Sequence, residues 1–201
     1  MSLGFFDRAN ADFDRSLALE PGYLNAKQHK ALALLYLGQT DAALAVFQSC
    51  VAAGFVTSVA VNFVSPLVQR GNLLAALMVM DSLGLSPAIR ERLIDALSQP
   101  GRTSVDSESI VRQYSLDYAD DLNRPNVAAH LYLWLGDFDG VGTTDVSHTG
   151  ELVIWDRYPP GFRNSAAFKR LLERSGVVTY WRKHGFPPQC RPVGAKDFSC
   201  D

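Results

Sequence analysis

The chain has 201 residues, of which 47% are hydrophobic and 20% charged, and its formal net charge is -2. This composition indicates a folded globular protein rather than a disordered chain. The weak negative charge argues against a surface built to coat nucleic acid. The best candidate for a membrane segment, Ala42 to Val56, is shorter than the roughly 20 residues that cross a bilayer and is broken by Gln48 and Ser49. We therefore expect no membrane segment and no nucleic-acid partner in this chain, and the start lacks a signal-peptide pattern.

The first predicted helix follows Leu3-Gly4, carries Ala9 and Phe13, and is closed by Pro21. The next segment, Leu24 to Thr57, predicts a pair of helices joined by a polar turn at 39–41. Gly38 suits the end of the first of these helices because glycine adopts positive φ without strain.

Small and aromatic residues in this pair fall at informative positions. Ala31 and Ala43 stand where two helices approach too closely for larger side chains, and Phe47 is expected to fill the space against the next pair. The pattern resembles the tetratricopeptide repeat (TPR), a helix–turn–helix unit of 34 residues. The same frame extends backwards, with Leu3-Gly4, Ala9 and Phe13 in the matching places.

Forwards, the frame places Gly71 at the turn, Ala76 in the small position and Met80 in the aromatic one. Pro66 falls inside the predicted first helix of this pair. Because proline lacks an amide hydrogen, we expect a kink there or a helix that starts later.

Beyond residue 85 the pattern is weaker. Ser86 and Pro87 predict the start of an amphipathic helix reaching Leu97, and Gln99 to Asp106 reads as a polar linker. Further helices are predicted over 107–120 and 125–136. The helix after 136 would carry Val141 in the small slot and Asp145 in the aromatic slot, so we expect irregular or shortened structure over 140–150.

Residues 151–201 form a distinct end piece. Glu151 to Tyr158 fits either helix or strand, and a helix capped by Asn164 or Ser165 should end at Gly176. A short helix over 177–184 follows, and the remainder reads as mostly turn. The tail aromatics (Trp155, Tyr158, Tyr180, Trp181, Phe186) are expected to cap the repeats, the alternative being an exposed recognition patch with a rim of basic residues.

The predicted fold is therefore all-α: a TPR-like superhelix of antiparallel helix pairs over 1–150, with a small helical cap over 151–201 packed on it. Because the array starts in mid-repeat, we expect a fragment of a longer protein, with Met1-Ser2-Leu3 left by cloning.

The end piece also resembles a terminal segment of bacterial multidomain regulators. The resemblance covers the last 40 residues or so, through Phe168-Lys169, Gly176, Tyr180-Trp181-Arg182, Phe186-Pro187-Pro188 and Cys190. Such regulators place TPR arrays after a winged-helix DNA-binding domain or an adenylate/guanylate cyclase domain. The resemblance implies a regulatory module, transcriptional or cyclase-linked, whose output domain is not in this chain.

In a TPR superhelix the first helix of each pair lines a concave groove. The frame assigns these groove positions to uncharged side chains: Asn25, Gln28, Leu32, Ser58, Val61, Ser65, Asn126 and His130. A groove that clamps a carboxylate would carry Lys or Arg. We therefore expect an extended polar peptide or an internal segment as its ligand, although a lone helical His such as His130 is more often a packing residue.

No nucleophile elbow, phosphate loop or metal-binding spacing occurs, so we predict no enzymatic activity, cofactor or metal. Cys50 lies in an apolar helix and should pack as a small hydrophobe. Cys190 and Cys200 stand ten residues apart, where a disulfide and two free thiols are equally compatible with the sequence. The compartment stays open: the cytoplasm is favoured, the periplasm being the alternative if the parent protein is membrane-anchored.

The preferred function is a non-catalytic protein-interaction module of a larger bacterial regulator, with a protein, a peptide or a second copy as partner. The alternative is a small-molecule sensor with a pocket between the repeats and the basic end piece. Residues 151–201 carry a formal charge of +4 and residues 1–150 one of -6, which favours docking of the tail on the body.

Overall fold

The computed structural model describes residues 3–98, 107–117, 124–144, 155 and 161–201, with the side chains of 58 and 124–126 outside this description. These residues contain eleven α-helices and one two-stranded sheet, so the chain is mostly helical. The helices are α1 (Phe6–Leu19), α2 (Leu24–Tyr36), α3 (Thr40–Ala52), α4 (Val64–Gln69), α5 (Leu73–Ser82), α6 (Pro87–Ser98), α7 (Ser107–Asp117), α8 (Arg124–Trp134), α9 (Phe138–Thr143), α10 (Ala166–Arg174) and α11 (Val177–His184). The strands are β1 (Cys190–Val193) and β2 (Asp197–Cys200).

Four turns in the described part of the chain, each before the second helix of a pair in the repeat frame, share one geometry. A glycine with φ between 70° and 83° stands at 4, 38, 71 and 136, at intervals of 34, 33 and 65 residues. Beyond each glycine comes a cap residue whose carbonyl accepts the amide hydrogen of the residue four positions on, as in Gln39 to Ala43 and Asn72 to Ala76. Only glycine adopts this left-handed conformation freely, so Gly38, Gly71 and Gly136 fix the ends of α2, α4 and α8.

Most of the predicted small and aromatic positions lie in the core between paired helices, whereas Phe13 is half-buried with its ring 5.9 Å from that of His29. The side chains of Ala31, Ala43 and Ala76 are fully buried where α2 packs on α3 and α4 packs on α5. Phe47 stacks on Phe63 of the neighbouring pair, with ring centroids 4.1 Å apart. The helix pairs therefore meet through the residues that the repeat frame selected.

The α-helix that contains Pro66 starts late, as we expected because proline lacks an amide hydrogen. Residues Ser58–Phe63 form a 3-10 helix and the α-helical bonding begins only at Val64. Pro66 then stands in the first turn of α4, where its lack of a donor costs no hydrogen bond.

The later helices begin where the sequence signals them. Ser86 accepts the amide hydrogen of Ile89 at the start of α6, and Ser165 accepts that of Phe168 at the start of α10. The second helix of the last pair, α9, is shortened to six residues. The linker at 99–106 and Asp145 lie outside the described residues.

The prediction that the last stretch is mostly turn is wrong. β1 pairs antiparallel with β2, with Cys190 opposite Cys200 and Val193 opposite Asp197. Each strand has only four residues, so no alternating pattern was long enough to reveal it. The hairpin is held by Phe198 and Cys200, whose side chains are fully buried.

Candidate interaction surfaces

The residues predicted to line a groove are brought together, but in the interior. Among them Gln28, Leu32, Val61, Ser65 and His130 are buried, Asn25 is exposed, and the side chains of Ser58 and Asn126 lie outside the described residues. An open groove at these positions is therefore not formed by the described residues. These positions are buried because α8 packs against the 3-10 helix of residues 58–63 and against α6, so that the inner faces of these helices cover one another.

A buried polar network joins three helices at this closed face. Tyr36 of α2 donates its hydroxyl hydrogen to Asn62 Oδ1 over 2.7 Å, and His130 Nε2 of α8 lies 3.2 Å from the same oxygen. Because an amide oxygen only accepts, the His130 ring donates from Nε2. Asn62 also donates to the Val59 carbonyl at 3.0 Å. These bonds satisfy polar groups that would otherwise be costly to bury.

Asn62 was missed by the sequence analysis. It is a lone polar residue in the apolar run Val59–Val64, and that isolation was the available signal. Gln28 has a similar role, since its side-chain oxygen accepts a hydrogen bond from Thr57. Most polar groups of the inner face named here are thus paired within the chain, whereas Gln28 Nε2 is buried with no hydrogen-bond partner among the described residues.

The tail aromatics pack inward, as capping requires. The Trp155 and Trp181 side chains are fully buried, and the Trp155 ring meets Phe6 of α1 edge-on at 5.2 Å. Phe186 packs partly buried against Trp181 at 5.4 Å. Tyr180 is 40% exposed, and Tyr158 lies outside the described residues. An exposed aromatic recognition patch is therefore not formed by these side chains.

The basic residues of the end piece bind other parts of the same chain. Arg170 pairs with Asp139 of α9 at 2.6 Å, and Lys169 pairs with Asp197 of β2 at 2.7 Å. The Lys169 ammonium holds the pKa of the Asp197 carboxyl below its usual range by hydrogen bonding. The buried Arg163 donates to the carbonyls of Trp155 and Asp201.

Two more arginines of α10 and α11 are likewise engaged. Arg174 donates to the Gly142 carbonyl at 3.1 Å and Arg182 to the Lys196 carbonyl at 2.5 Å. These bonds tie α10 to α9 and α11 to the hairpin. The basic groups of the tail are therefore bonded to other parts of the chain at these positions.

The first described residues are held by the end piece. Trp181 Nε1 donates to the Leu3 carbonyl at 2.9 Å, and Gln189 Nε2 donates to the Gly4 carbonyl at 2.8 Å. A Cβ added at Gly4 would lie 2.7 Å from Gln189 Nε2 and 2.8 Å from the Trp155 ring. Glycine at position 4 thus permits both the positive φ and the close approach.

The cysteines divide into a bonded pair and a buried thiol. Cys190 and Cys200 form a disulfide across the hairpin, and Cys50 is a free, buried thiol in α3. Burial raises the pKa of the Cys50 thiol, which keeps it protonated and unreactive at neutral pH. Among the described residues no group of three or more His, Cys, Asp or Glu side chains could hold a metal ion.

One helix presents an apolar surface to solvent. Four side chains of α5 are exposed: Leu73 by 41%, Leu74 by 72%, Leu77 by 37% and Met78 by 62%. The opposite side of the same helix, with Ala76, Val79 and Met80, is buried in the core. The sequence signal was the run Leu73–Met80, which is apolar on every side of the helix.

Comparisons with protein-family models, with curated proteins and with solved structures found no match. In the part of the chain that the structure describes, no helix is both long and apolar enough to pass through a membrane.

Proposed function

We propose that this chain is a TPR-like, non-catalytic protein-interaction module of a larger bacterial regulator, of the transcriptional or cyclase-linked kind that its end piece resembles. Stacked helix pairs expose long surfaces on which other proteins bind, and this is the common use of such arrays.

The observation that carries the proposal is the recurring turn. Gly38, Gly71 and Gly136 each follow a first helix, and in each case the next residue donates to a carbonyl five positions back, as Gln39 does to Leu34. The intervals between these glycines, counted from Gly4, are 34, 33 and 65 residues, which fit a period of about 34 residues if the last interval spans two periods.

The burial pattern supports the same frame. The small positions Ala43, Ala76 and Val141 follow three of the turns by five residues and are all 0% exposed. Ala9 follows Gly4 by the same interval and is 9% exposed. Selection for small side chains at this spacing is explained by close approach of paired helices.

Site-specific photo-crosslinking tests the proposal. A photoreactive phenylalanine analogue would replace Gln48 of α3 or Glu91 of α6, both exposed, in the full-length gene product expressed in cells of its source organism. We expect each of these positions to give discrete crosslinks to the same partner protein, identified by mass spectrometry.

The matched control carries the analogue at Lys196, an exposed position in the hairpin turn away from the repeats. Crosslinks from all three positions alike would indicate random collisions. An absence of partner crosslinks from both α3 and α6 would reject the binding of another protein along these helices.

A further inference from the structure

Helix α5 has an exposed apolar face, the α5 face, which consists of Leu73, Leu74, Leu77 and Met78. These residues occupy two successive turns on one side of the helix, because positions three and four apart are neighbours there. A helix that is apolar on both sides is normally covered on both sides. Within the described residues, only the Ala76, Val79 and Met80 side is covered.

We propose that the α5 face is covered by α5 of a second copy of this chain, running antiparallel across a two-fold axis. This proposal rests on the interaction function above only in one respect, which is that the partner is a protein. In such an arrangement the same patch serves both subunits, so its charges must complement themselves.

The charges that flank the α5 face meet this requirement. Arg70 stands three residues before Leu73, and Asp81 stands three residues after Met78. Arg70 lies at the end of α4, just before the turn into α5, and so stands at the N-terminal end of the face, whereas Asp81 lies in the last turn of α5. An antiparallel pairing centred on the face sets position 73 of one copy against 78 of the other and brings the Arg70 end of one copy to the Asp81 end of the other. Opposite charges meet at both ends of the contact, whereas a parallel pairing would bring like charges together.

Both flanking charges are accessible in the single chain. The Arg70 side chain is 41% exposed and pairs with Asp41 at 2.9 Å, while Asp81 is 70% exposed and pairs with Arg90 at 2.5 Å. In the dimer, the Asp41–Arg70 pair of one copy would lie beside the Asp81–Arg90 pair of the other copy. The four charges would then form a row that alternates in sign. Each new contact places a positive group beside a negative one.

The size of the face sets the expected affinity. α5 has ten residues, about 15 Å of helix, which is small beside a standard interface of roughly 1,600 Å². We therefore expect a weak dimer whose population rises with concentration. The balanced charge of the face also disfavours an anionic lipid surface as occupant.

Sedimentation velocity over a concentration series tests the contact. We expect the weight-average mass of the wild-type chain to rise towards that of a dimer with concentration. Leu74→Glu should abolish the rise, because it places a charge in the centre of the face. The matched control is Leu116→Glu on α7, where the leucine is similarly exposed (66%) and lies outside the face. Far-UV circular dichroism would verify that both variants fold.

Mixing two charge variants tests the antiparallel register. Arg70→Glu and Asp81→Arg should each weaken self-association, on the order of tenfold, because each sets like charges together at both ends. An equimolar mixture should recover the dimer. At one end of the mixed dimer the introduced glutamate meets the introduced arginine, and at the other end the unchanged Arg70 meets the unchanged Asp81. Random pairing of exposed apolar residues would show no such recovery.

A wild type that stays monomeric over the whole series would overturn the proposal. So would a dimer that survives Leu74→Glu, or a mixture that does not recover association. These outcomes are separate from those of the crosslinking experiment, which probes α3 and α6, so either proposal can fail while the other stands.

Discussion

The indole Nε1 of Trp181 donates a hydrogen bond to the backbone carbonyl of Leu3, 178 positions away along the chain, over 2.9 Å. The Trp181 ring also packs against Trp155, which in turn meets Phe6 of α1. The start of α1 is therefore anchored by the end piece as well as by α2.

Replacement of Trp181 tests this anchor. Trp181→Phe keeps most of the ring but removes the donor, and we expect the free energy of unfolding to fall by about 0.5–1.5 kcal/mol beyond the loss of ring contacts. The matched control is Trp134→Phe, since Trp134 is buried but its indole nitrogen has no hydrogen-bond partner among the described residues. Urea denaturation followed by circular dichroism provides the measurement, and an equal loss in both variants would contradict the anchor.

The buried network around Asn62 makes a second prediction. Asn62→Leu keeps the branching of the side chain at Cγ but removes the acceptor that Tyr36 and His130 share, so two buried donors lose a partner. We expect a loss of unfolding free energy of about 1–3 kcal/mol for each group.

Tyr36→Phe should cost less, about 1 kcal/mol, because the Asn62 oxygen that loses the Tyr36 hydroxyl is still hydrogen-bonded to His130. The double variant should lose less than the sum of the two single losses, since both act on one network. Additive losses would show that the two residues act independently.

The repeated turns predict a backbone effect at Gly71. Its φ is 70° and an added Cβ would meet nothing within 4 Å, so Gly71→Ala introduces strain without a clash. We expect a loss of about 1–2 kcal/mol in unfolding free energy. Gly22→Ala is the control, because Gly22 has equal space and no positive φ. Similar stability of the two variants would refute the explanation by backbone strain.

The pair formed by Lys169 and Asp197 predicts a pH dependence. The folded-state pKa of Asp197 is lowered, chiefly by its hydrogen bond from Lys169, so the stabilisation is present above the ordinary aspartate pKa. It is lost as the pH falls through the lowered value. Lys169→Ala should raise the pKa of Asp197 towards its ordinary value in an NMR titration of the carboxyl carbon. The exposed Lys183 is the control, and its replacement by Ala should leave that pKa in place.

The three cysteines predict a simple pattern of alkylation. Without reductant, iodoacetamide should modify none of them in the folded chain, and only Cys50 in urea, because Cys50 is buried and the other two are bonded. After reduction and unfolding all three should react. Mass spectrometry counts the adducts, and a reactive Cys50 in the folded chain would contradict its burial.

The sequence predicted the elements whose signals are local. Turn glycines, the Ser86 and Ser165 caps, and the late helix start at Pro66 each depend on a few adjacent residues, and the structure agrees with them. The hairpin depends on the pairing of two strands that the Cys190–Cys200 bond joins. Strands of four residues are too short to be recognised from an alternating pattern in the sequence.

The inner face shows a different limit. The polar, uncharged character of Gln28, Ser65 and His130 was read from sequence, but whether they face solvent depends on how α8 packs on the preceding pairs. That packing is a relationship between segments about 68 residues apart, as for His130 and Asn62. A repeat frame gives the orientation of a side chain but not the curvature that opens or closes the surface.

The hydrogen bond between Trp181 and Leu3 also bears on the order in which the chain folds. A stack of helix pairs can assemble from neighbouring contacts, which form quickly because little loop entropy is lost. Docking of the end piece on the first turn of α1 instead closes a loop of nearly the whole chain, and such closure carries a larger entropic cost. We therefore expect the helices to form early and this closure to come late, as a slower step that turns a linear stack into one cooperative unit.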